Sequence, residues 1–296
     1  MIENKKYFVV SDIHNGYTPL EIALTQKGFD IKNKNHHLIV CGDAFDRLNE
    51  ARAVLKFLQE LKKLNRLILI KGNHEYLMWK CLQEINEYGL PLGYHHYSNG
   101  TVGTISQLTG DADVSFKLDN WQTLSFEEIE KINLAMIPWK DLVQDAINYY
   151  EEGDYVFVHG WIPCKKLYKT SYDGCELIEY LPKWRELPDY SPLWEGASWI
   201  GYPSALNSKC WESDKIIVVG HWHSSHYNAI QDNDDPFPTK KIGVNWRHVF
   251  RPAIHKNFIA IDGCTAYSGI VNVLVFEEDK PNHLILIDSR EILVDG

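Results

Sequence analysis

Short apolar runs ending in polar clusters organise the N-terminal part of the chain. Tyr7–Val10, Leu38–Cys41 and Leu67–Ile70 have the length and composition of strands buried on both faces of a parallel sheet. Between the last two, Glu50 to Leu64 carries Ala51, Val54, Leu55, Leu58, Leu61 and Leu64 at helical spacing, which predicts a β-α-β arrangement. In such sheets the loops leaving the carboxyl ends of the strands converge on one crevice, and the polar clusters sit at those ends.

From about Leu77 to Asn148 the pattern weakens into helices and loops, with Gly89–Gly103 predicted as an irregular insertion placed to cap that crevice. A second strand-rich set follows: Tyr155–Val158, Ile216–Val219, Phe258–Ile261, Ile270–Phe276 and Leu284–Ile287, the last two predicted as a hairpin across 277–282. The Trp-, Tyr- and Pro-rich segment Cys164–Ser213 reads as a long substrate-side excursion between strands, and Asp232–Pro238 as a surface loop. There is no internal repeat or low-complexity tract. The expectation is one domain over residues 1–296, with insertions around 89–120 and 164–213.

Composition narrows the partners. The 296 residues are 45% hydrophobic and 24% charged, ordinary for a globular protein with a sizeable core. A formal net charge of -10 disfavours long nucleic acid, whose phosphates call for clustered Lys and Arg. The six cysteines have no CxxC pair, so neither a zinc knuckle nor a disulfide framework is indicated, and reduced thiols in the cytoplasm fit best. The N-terminal apolar run is too short for a signal-peptide core or a membrane span.

Five clusters follow apolar runs in order: Asp12-Ile13-His14, Gly42-Asp43-Ala44-Phe45-Asp46-Arg47, Gly72-Asn73-His74-Glu75, His159-Gly160 and Gly220-His221-Trp222-His223. Each alone is weak, because a single His near a strand is more often structural. The first three stand about thirty residues apart, as successive β-α units demand, and the ordered set is hard to reach by chance. Two divalent ions a few ångströms apart need one bridging carboxylate, further oxygen ligands, neutral imidazoles and open positions for water and substrate. Asp, His and Asn supply that mixture, which suits manganese, iron, zinc, cobalt or nickel better than calcium and leaves the choice among them open.

The ordered motifs D-x-H, G-D-x-x-D-R, G-N-H-E, a strand-borne His and G-H-x-H resemble those of calcineurin-like metallophosphoesterases. The second and third look more specifically like the phosphoprotein phosphatase branch, with its bacterial serine/threonine phosphatases and symmetrical diadenosine tetraphosphatases. Ile259-Ala260-Ile261-Asp262-Gly263-Cys264, followed by Ile270–Val275, is similar to the strand, turn and strand with which that branch closes its second sheet. The resemblance implies an α/β fold in which two mixed sheets pack face to face between helices, with a dinuclear metal site at the carboxyl ends of strands. It also implies that Asp12 and His14 bind the first metal, that Asp43 bridges, and that Asn73, His159 and His221 complete the second. His223 would bind the first metal as in the broader superfamily, although the phosphatase branch usually lacks that His.

On the same resemblance His74 is the general acid, with Asp46 holding its ring; Asp46 could at the same time serve as a helix N-cap. Arg47 clamps the phosphoryl oxygens with Asn73 beside it, and a metal-bound hydroxide is the nucleophile. The implied activity is phosphomonoester hydrolysis of the serine/threonine phosphatase type, on a phosphoprotein, a small phosphoester or a nucleotide. Diadenosine polyphosphate hydrolysis and phosphodiester cleavage are the enzymatic alternatives. A metal-binding scaffold without catalysis is the third, but it predicts broken motifs, and here the ligands and His74 are intact.

Three departures bear on this. Ser11 and Leu48 stand where the branch usually has Gly, and no residue matches its second substrate Arg: Arg185, Arg247 and Arg251 read as surface residues. Trp161, Tyr168, Tyr172, Trp184, Trp194, Trp199, Tyr202 and Trp211 could stack a nucleobase, but their irregular spacing favours packing of a long loop. His95, His96, His226, His248 and His255 fall outside the motifs and read as surface or structural residues.

Overall fold

The computed structural model describes residues 5–170, 176–238 and 245–277, and the statements below concern those. The N-terminal apolar runs form three parallel neighbours, β1 (Lys6–Val10), β2 (His36–Cys41) and β3 (Leu67–Ile70), with Phe8 opposite Leu38 and Ile39 opposite Ile68. The connections are α1 (Tyr17–Gln26) and α2 (Ala51–Lys63), and α2 buries Ala51, Val54, Leu55, Leu58 and Leu61 along one stripe as its spacing predicts.

Gly89–Gly103 is only partly irregular, at 89–93 and 99–100, and the rest is helical. After α3 (Asn73–Tyr88) the chain runs through α4 (Tyr94–Ser98), α5 (Thr101–Thr109), α6 (Ala112–Asp119), α7 (Phe126–Ala135) and α8 (Ile137–Val143). The glycines that resembled loop markers are helix ends: Gly89 closes α3 at φ 76° and Gly100 opens α5 at φ 86°. Val102, Ile105 and Leu108 of α5, together with Trp139 of α8, bury against the outer face of the first sheet.

The second sheet contains β4 (Tyr150–Glu152) and β5 (Tyr155–Phe157). Beyond it lies a hairpin of β6 (Cys164–Thr170) and β7 (Glu176–Tyr180), then α9 (Pro192–Ser198) and α10 (Tyr202–Ser208). The chain re-enters the sheet with β8 (Ile216–Val219), crosses α11 (Ser225–Asp232), and adds β9 (Ala253–His255) and β10 (Phe258–Ala260). Strand order is β4-β5-β8-β10-β9, with β5, β8 and β10 parallel and the two edges antiparallel. Segment 164–213 covers the outer face of this sheet rather than the substrate side for most of its length. Trp161, Trp184, Trp194 and Tyr202 are buried there against Val156, Val219 and Phe258, because large rings fill the space a hairpin and two short helices leave. Trp211 packs against His255, while Tyr172 and the Tyr168 side chain lie outside the described residues.

The closing segment departs from expectation. After α12 (Thr265–Ser268), only β11 (Leu274–Glu277) of the run Ile270–Phe276 is a strand, and it pairs antiparallel with β1. It therefore closes the first sheet, not the second, giving the order β11-β1-β2-β3. Its alternation fits that place: Val275 faces the helices with Phe8, while Phe276 turns inward to stack on Tyr7 at 4.8 Å. The predicted partner Leu284–Ile287 lies outside the described residues.

The sheets pack face to face. Tyr7, Val9, Ile39, Cys41 and Ile70 of one layer meet Tyr155, Phe157, Val218 and Ile259 of the other, with alternate residues turned outward to the helices. Among the described residues no helix is long and apolar enough to cross a membrane.

Candidate metal centre

One rule of position builds the site. Asp12 follows β1, Asp43 follows β2, His159 follows β5 and His221 follows β8, each two residues beyond the strand end, and Asn73 opens α3 just after β3. Both sheets present their carboxyl ends to the same seam, so ligands distant in sequence meet there. Among the described residues twelve non-glycines have positive φ; six of them are Asp12, His14, Asp43, Asp46, Arg47 and His221, at 51° to 77°. Backbone held in that region costs of order 1–3 kcal/mol per residue and persists where the surroundings over-determine it. Here they do: His14 N–H donates to the Asp43 carbonyl at 3.1 Å, His221 N–H to Asp12 Oδ2 at 3.0 Å, and His74 N–H to Asp43 Oδ1 at 3.0 Å.

Two triads of donor atoms lie within 4.8 Å of one another, His14/Asp43/His74 and Asp43/His159/His221, and Asp43 is common to both. Asn73 joins the second: its Oδ1 is 2.8 Å from His159 Nε2 and 3.0 Å from His221 Nδ1. Asp12 Oδ1 stands 3.7 Å from His14 Nε2. His223 is farther out, half-exposed, with Nε2 3.8 Å from Asp262 Oδ2, and it belongs to neither triad.

The imidazoles share one arrangement. His159 Nδ1 donates to the Cys41 carbonyl at 2.9 Å and His14 Nδ1 to the Phe45 carbonyl at 3.0 Å, while His221 is hydrogen-bonded to the Trp199 backbone. Each ring thus turns its other nitrogen toward carboxylate or amide oxygens. A neutral imidazole facing an acceptor has no proton to offer, so a cation must sit between them or the ring must carry the charge. Backbone-tied rings aimed inward are also how proteins fix histidine ligands for a metal.

The charges agree. Burial opposes the charged form of His159, but Asp43, then Asp12 and the Cys41 carbonyl, outweigh it and push the ring up to about 10. Burial, reinforced by the positive charge of His159, pushes His221 down to about 3. Burial and the nearby Asp262 raise Asp12 well above the usual carboxylate range. Asp43 is held well below it, because the cationic rings of His159 and His74 overcome the burial that would raise it. The buried carboxylates Asp12, Asp43 and Asp262 therefore face one another with imidazoles as their immediate counter-charges, a donor set that fits divalent transition-metal ions.

His74, a member of the first triad, donates from Nδ1 to Asp46 Oδ2 at 2.8 Å, which leaves its Nε2, 3.7 Å from Asp43 Oδ2, as the nitrogen open to an ion or a proton. Burial works against the His74 cation, yet Asp43 and Asp46 raise it. Asp46 does not cap α2, whose N-cap is Glu50. Arg47 is exposed, with Nη2 3.5 Å from His74 Nε2. Arg185 is bound to Glu151 and Glu212, and Arg251 to Asp232. His96 is buried against Glu84.

Sequence reasoning passed over Glu75, Asp262, Thr101 and Thr104. Glu75 accepts from the backbone N–H of Gly72 (2.7 Å), Asp43 (3.1 Å) and Ala44 (3.2 Å), fixing the loop that carries Asp43. Burial and Asp43 push it up to about 7. Asp262 lies two residues beyond β10, the same offset as the other strand-end ligands, and that offset was the available signal.

Acidic and imidazole side chains gathered by two facing sheets around a shared carboxylate make up a candidate dinuclear metal centre. The description "calcineurin-like phosphoesterase" matches residues 5–236, and the chain belongs to that family, whose members are phosphoric-ester hydrolases with divalent ions in a dinuclear site. No curated protein matches the sequence. Among solved structures, a cold-active protein-tyrosine phosphatase from a psychrophilic Shewanella is 17% identical, with a TM-score of 0.50, covering 95% of this chain and 77% of that one. A chain described as a candidate diadenosine tetraphosphatase is 13% identical (TM-score 0.45; 92% and 90% covered). A serine/threonine phosphatase from Saccharomyces cerevisiae is 15% identical (TM-score 0.37; 75% and 62%). The first of these likenesses concerns the fold alone.

Proposed function

We propose that the chain hydrolyses phosphomonoesters of the serine/threonine phosphatase type, on a phosphoprotein or a small phosphoester. The observation that carries the reading is the membership of Asp43 in both candidate triads, since two close ions need a carboxylate between them. In this reading Asp12, His14 and Asp43 hold one ion, and Asp43, Asn73, His159 and His221 the other, with His223 at the outer edge. When bound, the ions supply Lewis acidity and an activated water.

The remaining steps belong to side chains. Arg47 offers a planar fork to the phosphoryl oxygens, with the Asn73 amide beside it. His74, its Nδ1 committed to Asp46, carries a proton on Nε2 and gives it to the leaving oxygen as the ester bond breaks. The G-D-x-x-D-R and G-N-H-E forms support the monoester reading. Cleavage of a dinucleoside polyphosphate has one observation in its favour: Trp199, 43% exposed, stands 6.0 Å from His221, where a base can stack. The cysteine spacing, with no CxxC pair, is what supports a reducing compartment such as the cytoplasm.

The test compares p-nitrophenyl phosphate, bis-p-nitrophenyl phosphate, a phosphoserine peptide and diadenosine tetraphosphate, with Mn²⁺ or with chelator. Monoester turnover that needs metal and is lost in Asp43→Asn supports the reading. Turnover of the diester or the dinucleotide alone replaces it, and failure to bind metal ends it.

A further inference from the structure

Asp46 is fully buried, and three groups converge on its carboxylate. Oδ2 accepts from His74 Nδ1 and from Thr101 Oγ1, each at 2.8 Å, and Oδ1 accepts from Thr104 Oγ1 at 2.8 Å. Both threonines are fully buried on the first turn of α5. The Thr104 hydroxyl accepts from Asn15 Nδ2 at 2.8 Å, which leaves its own hydrogen for Asp46 in preference to the Gly100 carbonyl at 3.4 Å.

The helix start is pressed against the loop it serves. A Cβ on Gly100 would lie 2.4 Å from the Arg47 backbone nitrogen, and the neighbouring Asn99 Oδ1 accepts from Arg47 Nη2 at 3.4 Å. Asp46 and Arg47 themselves have φ of 77° and 66°. The segment 99–104 thus touches both residues of the turn: hydroxyls on the carboxylate, backbone and amide on the arginine.

We propose that Thr101 and Thr104 are positioning residues for phosphoester hydrolysis, fixing Asp46 so that it holds the His74 ring with Nε2 toward the leaving oxygen. The inference rests on the proposed role of His74. A buried carboxylate anchored by one imidazole alone can rotate and carry the ring with it. Two charge-assisted hydroxyl bonds on different oxygens remove that freedom. Thr101 and Thr104 never meet the substrate; they act through Asp46.

The experiment uses full-length Mn²⁺-loaded enzyme with Thr101→Val, Thr104→Val and the double variant, which keep side-chain shape and delete the hydroxyls, beside Thr→Ser at each site. kcat and KM are measured on phenyl phosphate, a poor leaving group, and on p-nitrophenyl phosphate, a good one, with Mn²⁺ content and circular dichroism as controls. The double valine variant should lose about 10- to 100-fold in kcat on phenyl phosphate, with a much smaller loss on p-nitrophenyl phosphate and KM unchanged, and serine should restore it. Equal losses on both esters, or normal phenyl phosphate turnover in folded valine variants, would overturn the proposal. If the double variant does not fold, the single variants carry the same comparison. His74→Asn separates the layers: if it stays fully active the reading of His74 fails, whereas if it is dead and the valine variants are normal only the threonine proposal fails.

Discussion

His159 Nε2 stands 2.8 Å from the side-chain oxygen of Asn73 while its other nitrogen is tied to the Cys41 carbonyl. Without metal, a proton must occupy the Nε2 side, and Asp43 and Asp12 hold it there up to about 10. A divalent ion has to displace that proton, so affinity rises with pH through the range below about 10. Calorimetric titration with Mn²⁺ in buffers of different ionisation enthalpy should show proton release at pH 7 and weaker binding at pH 6. Saturating metal at 100 times its dissociation constant should stabilise the fold by about 2.7 kcal/mol, and Asp43→Asn should erase most of that gain.

If the His74 ring donates a proton as proposed, and does not bind an ion, substituting it with Asn should lower kcat by about 10² to 10⁴ while leaving metal content intact. Arg47→Ala should cost about 10- to 100-fold in kcat/KM, the loss of charge-assisted bonds worth about 1.5–3 kcal/mol. Steady-state kinetics with parallel metal analysis reads both; loss of metal in His74→Asn would return that residue to the ligand set.

Glu75→Gln keeps the shape of a side chain whose oxygens accept three backbone N–H groups. An amide presents a donor where only acceptors fit, so stability should fall by about 1–3 kcal/mol. The Asp43 loop should loosen with it. Urea unfolding and Mn²⁺ stoichiometry, measured together, test whether the two losses are linked.

Far from the centre, Glu212 accepts from Arg185, Trp184 Nε1 (2.8 Å) and Tyr180 Oη (2.8 Å). Burial would raise its carboxyl, but those donors win and hold it at about 2. A depressed folded-state value means the stabilisation is complete above the unfolded value near 4.5 and is lost as pH falls toward 2. Glu212→Gln should therefore lower stability at pH 7, by about 2 kcal/mol, and flatten the acid limb of a melting-temperature profile between those values.

The strand runs and their polar ends were legible because buried parallel strands read as short apolar runs, and because the candidate ligands Asp12, Asp43, His159 and His221 follow them at a constant offset. Asp262 obeys the same offset, yet its short strand Phe258–Ala260 carried less signal. Thr101 and Thr104 could not be found, since a hydroxyl i,i+3 on a helix is chemically ordinary until folding brings it to Asp46. The helices of 89–120 were hidden because their glycines do capping work that local pattern cannot distinguish from a loop. The closing strand was assigned to the wrong sheet because alternation tells which faces a strand shows, not which edge it joins.

Asp12, His14, Asp43 and Asn73 hang from one layer, His159 and His221 from the other. In the proposed reading, a metal pair between them would be a rivet through a greasy seam, and the seam would decide how well the holes line up. Phe276, stacked at 4.8 Å on Tyr7 and 5.5 Å on Phe157, is a filler of that joint. Trimming such a ring would slacken the grip on both ions without touching a ligand, so metal occupancy doubles as a gauge of how tightly the two halves are clamped.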